Sequence, residues 1–358
     1  KPKRIDFKNP FLKKEFELKY KKQSAFAAKK YNKPVANNNM QKSIILEGII
    51  NVDKTKVYKD FVEIKPGTQF SIKNGSSIIF KNKLIALGTK EKPILFEKSS
   101  NQSWGTIALQ GNKTKNSIIN NVVFDGGSGS QYRNIKYTGA LSIHDTENII
   151  IKNVTLKNNS EYDDMLHIIY VDNIKLENLY IENSNMDAID IDMSKNIEIK
   201  NIIIKKSGND GIDLMESDAV ITNIKVYNSK DKAISVGENS FLVLNKSTLS
   251  KNEIGVATKD RSFSFVANSN LINNNISLNN YKKNLQYADG GVSLIYKTNL
   301  ENKKNTLVDK NSTIKIINSK VNGNNIKEKL ISNKINKNHI TILKKNNSKE
   351  MIKILKKY

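Results

Sequence analysis

The sequence predicts an all-β protein, a solenoid of short strands wound as a parallel β-helix, and three observations predict it. The pentapeptides DAIDI (Asp187 to Ile191), DGIDL (Asp210 to Leu214) and KAISV (Lys232 to Val236) recur at steps of 23 and then 22 residues. Self-similarity at a short fixed period marks a stack of repeats. Within each repeat apolar residues alternate with period 2, as at Ile189 and Ile191, Ile197 and Ile199, Ile202 and Ile204, so each unit reads as three short strands joined by polar turns. Asparagine recurs in one turn: Asn121, Asn153, Asn178, Asn201, Asn223, Asn268 and Asn318 each stand three residues before an apolar strand end. Asn tolerates a left-handed backbone, and its amide both donates and accepts, so a column of Asn can bond from coil to coil. Lys246 breaks this series, and its coil is expected to turn differently.

Three segments follow in chain order. Residues 1–43 are lysine-rich and do not repeat. Asn9-Pro10 suits a helix start, and Phe11, Leu12, Phe16, Leu18 and Phe26 give a ragged apolar face, as expected of a basic segment capping the first coil. A basic helix lying on a membrane surface and a disordered leader are the other readings of that stretch. Residues 44–322 form the coil, with Trp104, the single tryptophan, packed at a corner before the repeats become uniform. Residues 323–358 form a C-terminal cap. Asn347-Ser348-Lys349-Glu350 resembles a capping box that opens a short helix through Met351, Ile352 and Leu355, closing a coil whose end would otherwise present unpaired edges.

Composition narrows the function classes. The chain of 358 residues carries a formal net charge of +24, but of 59 basic residues only Arg4, Arg133 and Arg261 are arginine. Without an element that reads bases, this charge argues for no nucleic-acid partner. The absence of cysteine excludes disulfides and thiolate metal sites. No run of 18 apolar residues exists, so no transmembrane segment is expected. The chain starts at Lys1, as a processed or trimmed start would.

The repeat register places candidate chemistry on one face. Ala108, Ser142, His167, Asp190, Asp213, Ser235, Gly255 and Ser293 are read as one outward column of first strands, and apolar neighbours such as Ile189 and Ile191 or Ile212 and Leu214 point inward. Asp164, Asp187 and Asp210 sit in the turn that enters this face. Asp is disfavoured in a strand interior, and coils stack roughly 4.8 Å apart, so these carboxylates share protons or hold a cation. Asp187, Asp190, Asp210 and Asp213 are therefore the candidate catalytic residues, and Asp190 with Asp213 the candidate seat for Ca²⁺, if the protein uses a cofactor at all. His167 is expected within reach of Asp190, whereas His144 is read as a surface turn residue. Lys232, Lys259 and Arg261 could bind or polarise an acidic group. Two coils are oversized, at Phe124 to Tyr137 and Asn273 to Gly290. Both insertions are read as lying between a third strand and the next first strand, with Tyr132 and Arg133 walling one end of a groove and Tyr281 and Tyr287 the other.

The coil length, three strands and Asn ladder resemble the right-handed parallel β-helix proteins of the pectin-lyase-like superfamily over about residues 44 to 322. That resemblance implies the right-handed coil, and strand–crossover–strand sterics agree. Within it the chain is similar to polygalacturonase-type glycoside hydrolases at Asn185-Met186-Asp187-Ala188, Gly208-Asn209-Asp210-Gly211, Asp231-Lys232-Ala233 and Gly255-Val256-Ala257-Thr258-Lys259. Asp187, Asp210 and Lys259 fall on that family's positions. Asn209, Lys232 and Ala257 stand where the family carries a second acid, His and Arg. The phrases DKAISVGENS and IGVATKD are also similar to β-helical regions beside spore-coat-H-like kinase domains, which implies a secreted or cell-surface setting. Three readings stay open: a β-helix whose first-strand face binds or modifies an acidic polysaccharide, a non-catalytic structural or adhesive surface module, and a Ca²⁺-dependent polysaccharide lyase.

Overall fold

Alternating isoleucine, leucine and valine wind the chain into a parallel right-handed β-solenoid of about 12 turns. The structure, a computed structural model, describes residues 43–334 and 336–356. The expected N-terminal basic segment lies, but for its last residue, outside the described residues. Every turn contributes one strand to each of three long parallel sheets. The first sheet stacks Ile78–Phe80, Ile107–Gln110, Ile189–Asp192, Ile212–Met215, Lys232–Gly237, Ile254–Lys259 and Ile276–Tyr281 among its rungs. Two long strands, Leu141–Lys157 and Leu166–Ser184, run through all three sheets without a break and pair along their whole length.

The interior follows from parity. Leu141, Leu166, Ile189, Ile212, Ile234 and Val256 stack on one another fully buried, because each lies one hydrogen-bonded rung from its equivalent. Phe70, Phe96 and Phe124 stack in the same way with ring centroids 4.5 and 4.9 Å apart. Trp104 is fully buried at a corner and donates its indole N–H to the Asp125 carbonyl at 2.8 Å.

The asparagine column forms a ladder. Asn178 donates to Asn153, Asn201 to Asn178 and Asn223 to Asn201, at 2.9, 3.1 and 2.7 Å. All of these residues are left-handed, with φ between 53° and 57°. Lys246 corrects the expectation made for it. Its φ of 51° matches its Asn neighbours, because the corner geometry is imposed by the strands on either side, and Asn245 takes over the amide contact, accepting from Asn268 at 2.9 Å.

At the far end, Thr313–Val321 is paired on its outer edge by Asn324–Ile331 running antiparallel. Two helices, Lys337–Lys345 and Ser348–Leu355, then lie against the outer side of the second sheet, where Ile342, Leu343 and Met351 cover Phe241, Phe263, Phe265 and Leu294. No helix among the described residues is long and apolar enough to cross a membrane.

Two substitutions test this architecture. Ile212→Asp places an unpaired charge between Ile189 and Ile234 and should cost several kcal/mol; melting like the parent would show that the inside–outside register is wrong. Asn201→Ala should cost about 1 kcal/mol in ladder bonds and about 1 kcal/mol more in left-handed strain. Asn201→Gly should lose the ladder term alone. Thermal melts in which both variants match the parent would mean that the ladder contributes nothing.

Candidate functional site

Period 2 turns two columns of side chains outward from the first sheet, and the turn before each strand adds a third, largely buried one. The turn entering each strand stacks Asp164, Asp187, Asp210 and Lys232. The mid-strand column reads His167, Asp190, Asp213, Ser235, Ala257 and Asn279. The strand ends carry Asp192, Met215 and Gly237, with Lys259 and Tyr281 paired on the following rungs.

The later rungs correct the sequence register. Ala257, not Gly255, pairs with Ser235, because the repeat step stays at 22 residues. Ser293 belongs to the second sheet, where it pairs with Ser264. The first strand of that coil is Ile276–Tyr281, whose Asn-rich flanks read as loop. The second insertion is therefore residues 282–291 and follows the first strand. The two insertions flank opposite sides of the face.

The predicted carboxylates come together. One oxygen each of Asp187, Asp190 and Asp213 lies within 4.8 Å of the others, and His167, Asp190 and Asp192 form a second group as tight. Asp187 accepts from the Asp210 backbone N–H at 2.6 Å and from the Asn209 amide at 2.8 Å. Burial pushes its carboxyl up to about 8, and Asp210 and Asp164 push the same way. Burial and then the surrounding Asp164, Asp192, Asp213 and Asp187 also drive Asp190 strongly upward, toward the protonated acid, although about a fifth of its side chain (21%) reaches solvent. Asp213 Oδ1 is buried and accepts no hydrogen bond.

Two lysines balance part of this charge. Lys232 Nζ lies 3.3 Å from Asp210 Oδ1 and also contacts Asp231. Burial raises Asp210 to about 6, against the pull of Lys232. Burial alone would lower Lys232 and Lys259, but Asp210 and Asp231 around the first, and Asp213 and Glu238 around the second, raise both and hold them cationic. Gly237 makes room for Lys259, since a Cβ there would stand 2.4 Å from Lys259 Cε. Tyr281 is half-buried beside the two lysines.

The histidines differ from expectation. His144 is buried, 6% exposed, because Tyr137 of the first insertion stacks over it at 5.0 Å, so it is no surface residue. His144 Nε2 meets His167 Nδ1 at 3.2 Å, and His167 Nε2 faces Asp192 at 3.4 Å, closer than Asp190 at 3.9 Å. Burial, then His167 and Lys81, lowers His144 to about 3. A neutral His144 that donates from Nε2 leaves His167 with its own proton on Nε2, aimed at the carboxylates.

The remaining predicted residues lie on the walls. Tyr132 and Arg133 form the tip of a hairpin, Ser130–Tyr132 with Ile135–Tyr137, that covers Ile79 and Ala108 and so shuts the early end of the face. The Arg133 guanidinium lies 5.5 Å over the Tyr132 ring. The second insertion is held by Asp260, whose Oδ1 accepts from the backbone of Lys283 and Asn284, and by Arg261, whose N–H reaches the carbonyls of Asp289 and Gly290. Tyr287 is buried, 8% exposed, so it presents no open ring to the face. Sequence reasoning missed Asp192, although its outward parity with Asp190 marks it. It also missed Glu238, which accepts from Asn284 at 3.1 Å and which no repeat signals. The grouped oxygens of Asp187, Asp190 and Asp213 suit a hard cation such as Ca²⁺, which takes oxygen ligands.

Comparison with known proteins gives the same fold. The family described as a right handed beta helix region matches residues 108–276. A point mutant of the periplasmic alginate epimerase AlgG is similar with a TM-score of 0.53 at 12% identity, over 78% of this chain and 85% of that one. The ORF18 protein of Geobacillus virus E2 gives 0.51 at 9%, over 82% and 57%. The catalytic domain of GH87 alpha-1,3-glucanase gives 0.48 at 12% over 79% of this chain, which spans 64% of the glucanase chain. No curated protein matches the sequence. At such identities the likeness is one of fold.

The buried groups predict a pH dependence. Asp187 and Asp210 are raised from 3.8, so the folded chain binds more protons than the unfolded one above that value, and stability falls as pH climbs toward about 8. His144, lowered from 6.5, acts oppositely, with stability lost as pH falls below 6.5. Between pH 6.5 and 8 the carboxyl effect acts against no change in His144. In metal-free buffer the Tm should decline across that window, and Asp187→Asn should flatten the decline. An identical slope in parent and variant would refute the assignment.

Proposed function

We propose that the outer face of the first sheet is a glycan groove, and that its carboxyl cluster acts on a polysaccharide laid along it. The observation that carries this reading is Asp190 stacked on Asp213 in mid-strand, with Asp187 in the same group. Like carboxyls one rung apart cost stability, and such a cost persists where a function holds it. Burial and neighbouring carboxylates favour a protonated Asp190. A pair of carboxyl groups in different surroundings is what glycosidic cleavage uses, one protonating the leaving oxygen and the other attacking or activating water. Lys232 and Lys259, held cationic, suit the carboxylate of an acidic sugar better than they suit removing a proton. Elimination would need His167 in the opposite tautomer, donating from Nδ1 to His144 and with the Nε2 lone pair free to take the proton. The setting proposed with this activity is the cell surface or the space outside it; the epimerase that shares the fold is periplasmic.

A second reading rests on the unpartnered Asp213 Oδ1. Ca²⁺ held by Asp187, Asp190 and Asp213 would supply positive charge to an acidic chain, and the same residues would then bind rather than protonate. A glycan array followed by reducing-end and unsaturated-product assays separates the readings. Asp190→Asn and Asp213→Asn should each abolish turnover while melting no lower than the parent, because each removes repulsion. Calorimetric Ca²⁺ binding lost in both variants, with glycan binding that chelator reverses, would select the second reading. Full activity of both variants on a substrate the parent uses would place the site elsewhere.

A further inference from the structure

Beside the acid cluster lies a second feature that the proposed chemistry leaves unused. Each coil leaves the first strand through a left-handed corner, at Asp145, Tyr170, Met193 and Glu216 in successive turns. Such corners favour Asn, Asp or Gly, although the flanking strands impose the same conformation on Met193 and Glu216. Tyr170, with φ 55°, is the one aromatic residue in this conformation among the described residues. The residue is also 54% exposed, so burial does not compensate the strain. Tyr170 lines a cleft of about 470 Å³ together with Asp145, Asp172, Met193 and Lys195 among others, a size within the range of small-ligand sites. Ile169 pairs with Asp192, so Tyr170 and Met193 directly follow the strand end where His167 meets the carboxylates.

From this placement we propose that Tyr170 is the platform of a further sugar subsite, which takes an uncharged, hydroxyl-rich ring of the glycan as it leaves the acid cluster. The inference rests on the reading of the first-sheet face as a glycan groove, and adds the character of one ring and the direction of the chain. An aromatic face packs against the apolar face of a sugar, while carboxylates accept from its hydroxyls. Asp145, Glu147 and Asp172 line the cleft against the single lysine Lys195, so a uronate carboxylate there would face an excess of like charge. Lys115 stands 3.8 Å from Glu147, the Asn196 amide donates to Asp172 Oδ1 at 2.6 Å, and the exposed Asp145 lines the same cleft. The chain therefore crosses the sheet obliquely, from Lys232 and Lys259 past Asp190 to Tyr170.

Tyr170→Asn tests this without endangering the fold, since Asn suits the left-handed corner. Calorimetric titrations of parent, Tyr170→Asn and Tyr170→Phe would use laminarihexaose, cellohexaose, maltohexaose, hexagalacturonate and hexamannuronate. The expected result is that the parent binds at least one neutral hexaose, Tyr170→Asn weakens it roughly tenfold, Tyr170→Phe keeps it, and uronate binding stays within about twofold. Equal binding by Tyr170→Asn, or a parent that binds no neutral hexaose, would overturn the subsite. Asp190→Asn in the same titrations keeps the two ideas apart. Its retained turnover would refute the acid–base reading while the Tyr170 result stood, and its retained binding with lost turnover agrees with both.

Discussion

Everything in this molecule depends on the parallel ladder, which places each residue one hydrogen-bonded rung from its equivalent in the next coil. Like must therefore stack on like. For isoleucine and phenylalanine the stack is a continuous dry core, and neither end of a repeat needs a separate one. For asparagine it is a chain of amides, each donating to one neighbour and accepting from the other. The same rule gives the corners their shared left-handed conformation, which even Lys246 and Met193 adopt.

For aspartate the rule is costly. A carboxylate can accept but not donate, so a stack of Asp164, Asp187 and Asp210 beside Asp190 and Asp213 has no internal way to satisfy itself. The fold meets the cost by partial protonation, by backbone N–H groups that point at Asp187 and Asp210, and by ending the acidic column at Lys232. His167 and its buried partner His144 occupy the other end. The result is a compact set of groups whose proton affinities are pushed in opposite directions, on an otherwise repetitive surface.

The insertions give that surface its ends. The hairpin tipped by Tyr132 and Arg133 packs apolar residues over Ile79 and Ala108, while residues 282–291 are pinned to the opposite corner by Asp260 and by the backbone of Arg261. The face left between them carries the half-buried Asp190, Asp192 and Asp213. Tyr170 and its cleft stand just outside, on the corner next to Asp192.

The sequence by itself determined the coil, its parity and the aspartate columns, because a parallel ladder converts a linear repeat directly into stacked neighbours. DAIDI and DGIDL thus identified Asp187, Asp190, Asp210 and Asp213 as one patch. The tertiary structure decided what repeats cannot encode. Ile276–Tyr281 carries no repeat phrase, so its place in the first sheet, and with it the side from which residues 282–291 emerge, came only from pairing. The burial of His144 under Tyr137, and of Tyr287 within its own loop, depended on insertions whose path no period fixes. Whether a side chain at a left-handed corner is covered or open is likewise a property of its neighbours in space, which is why Tyr170 emerged only from the folded chain.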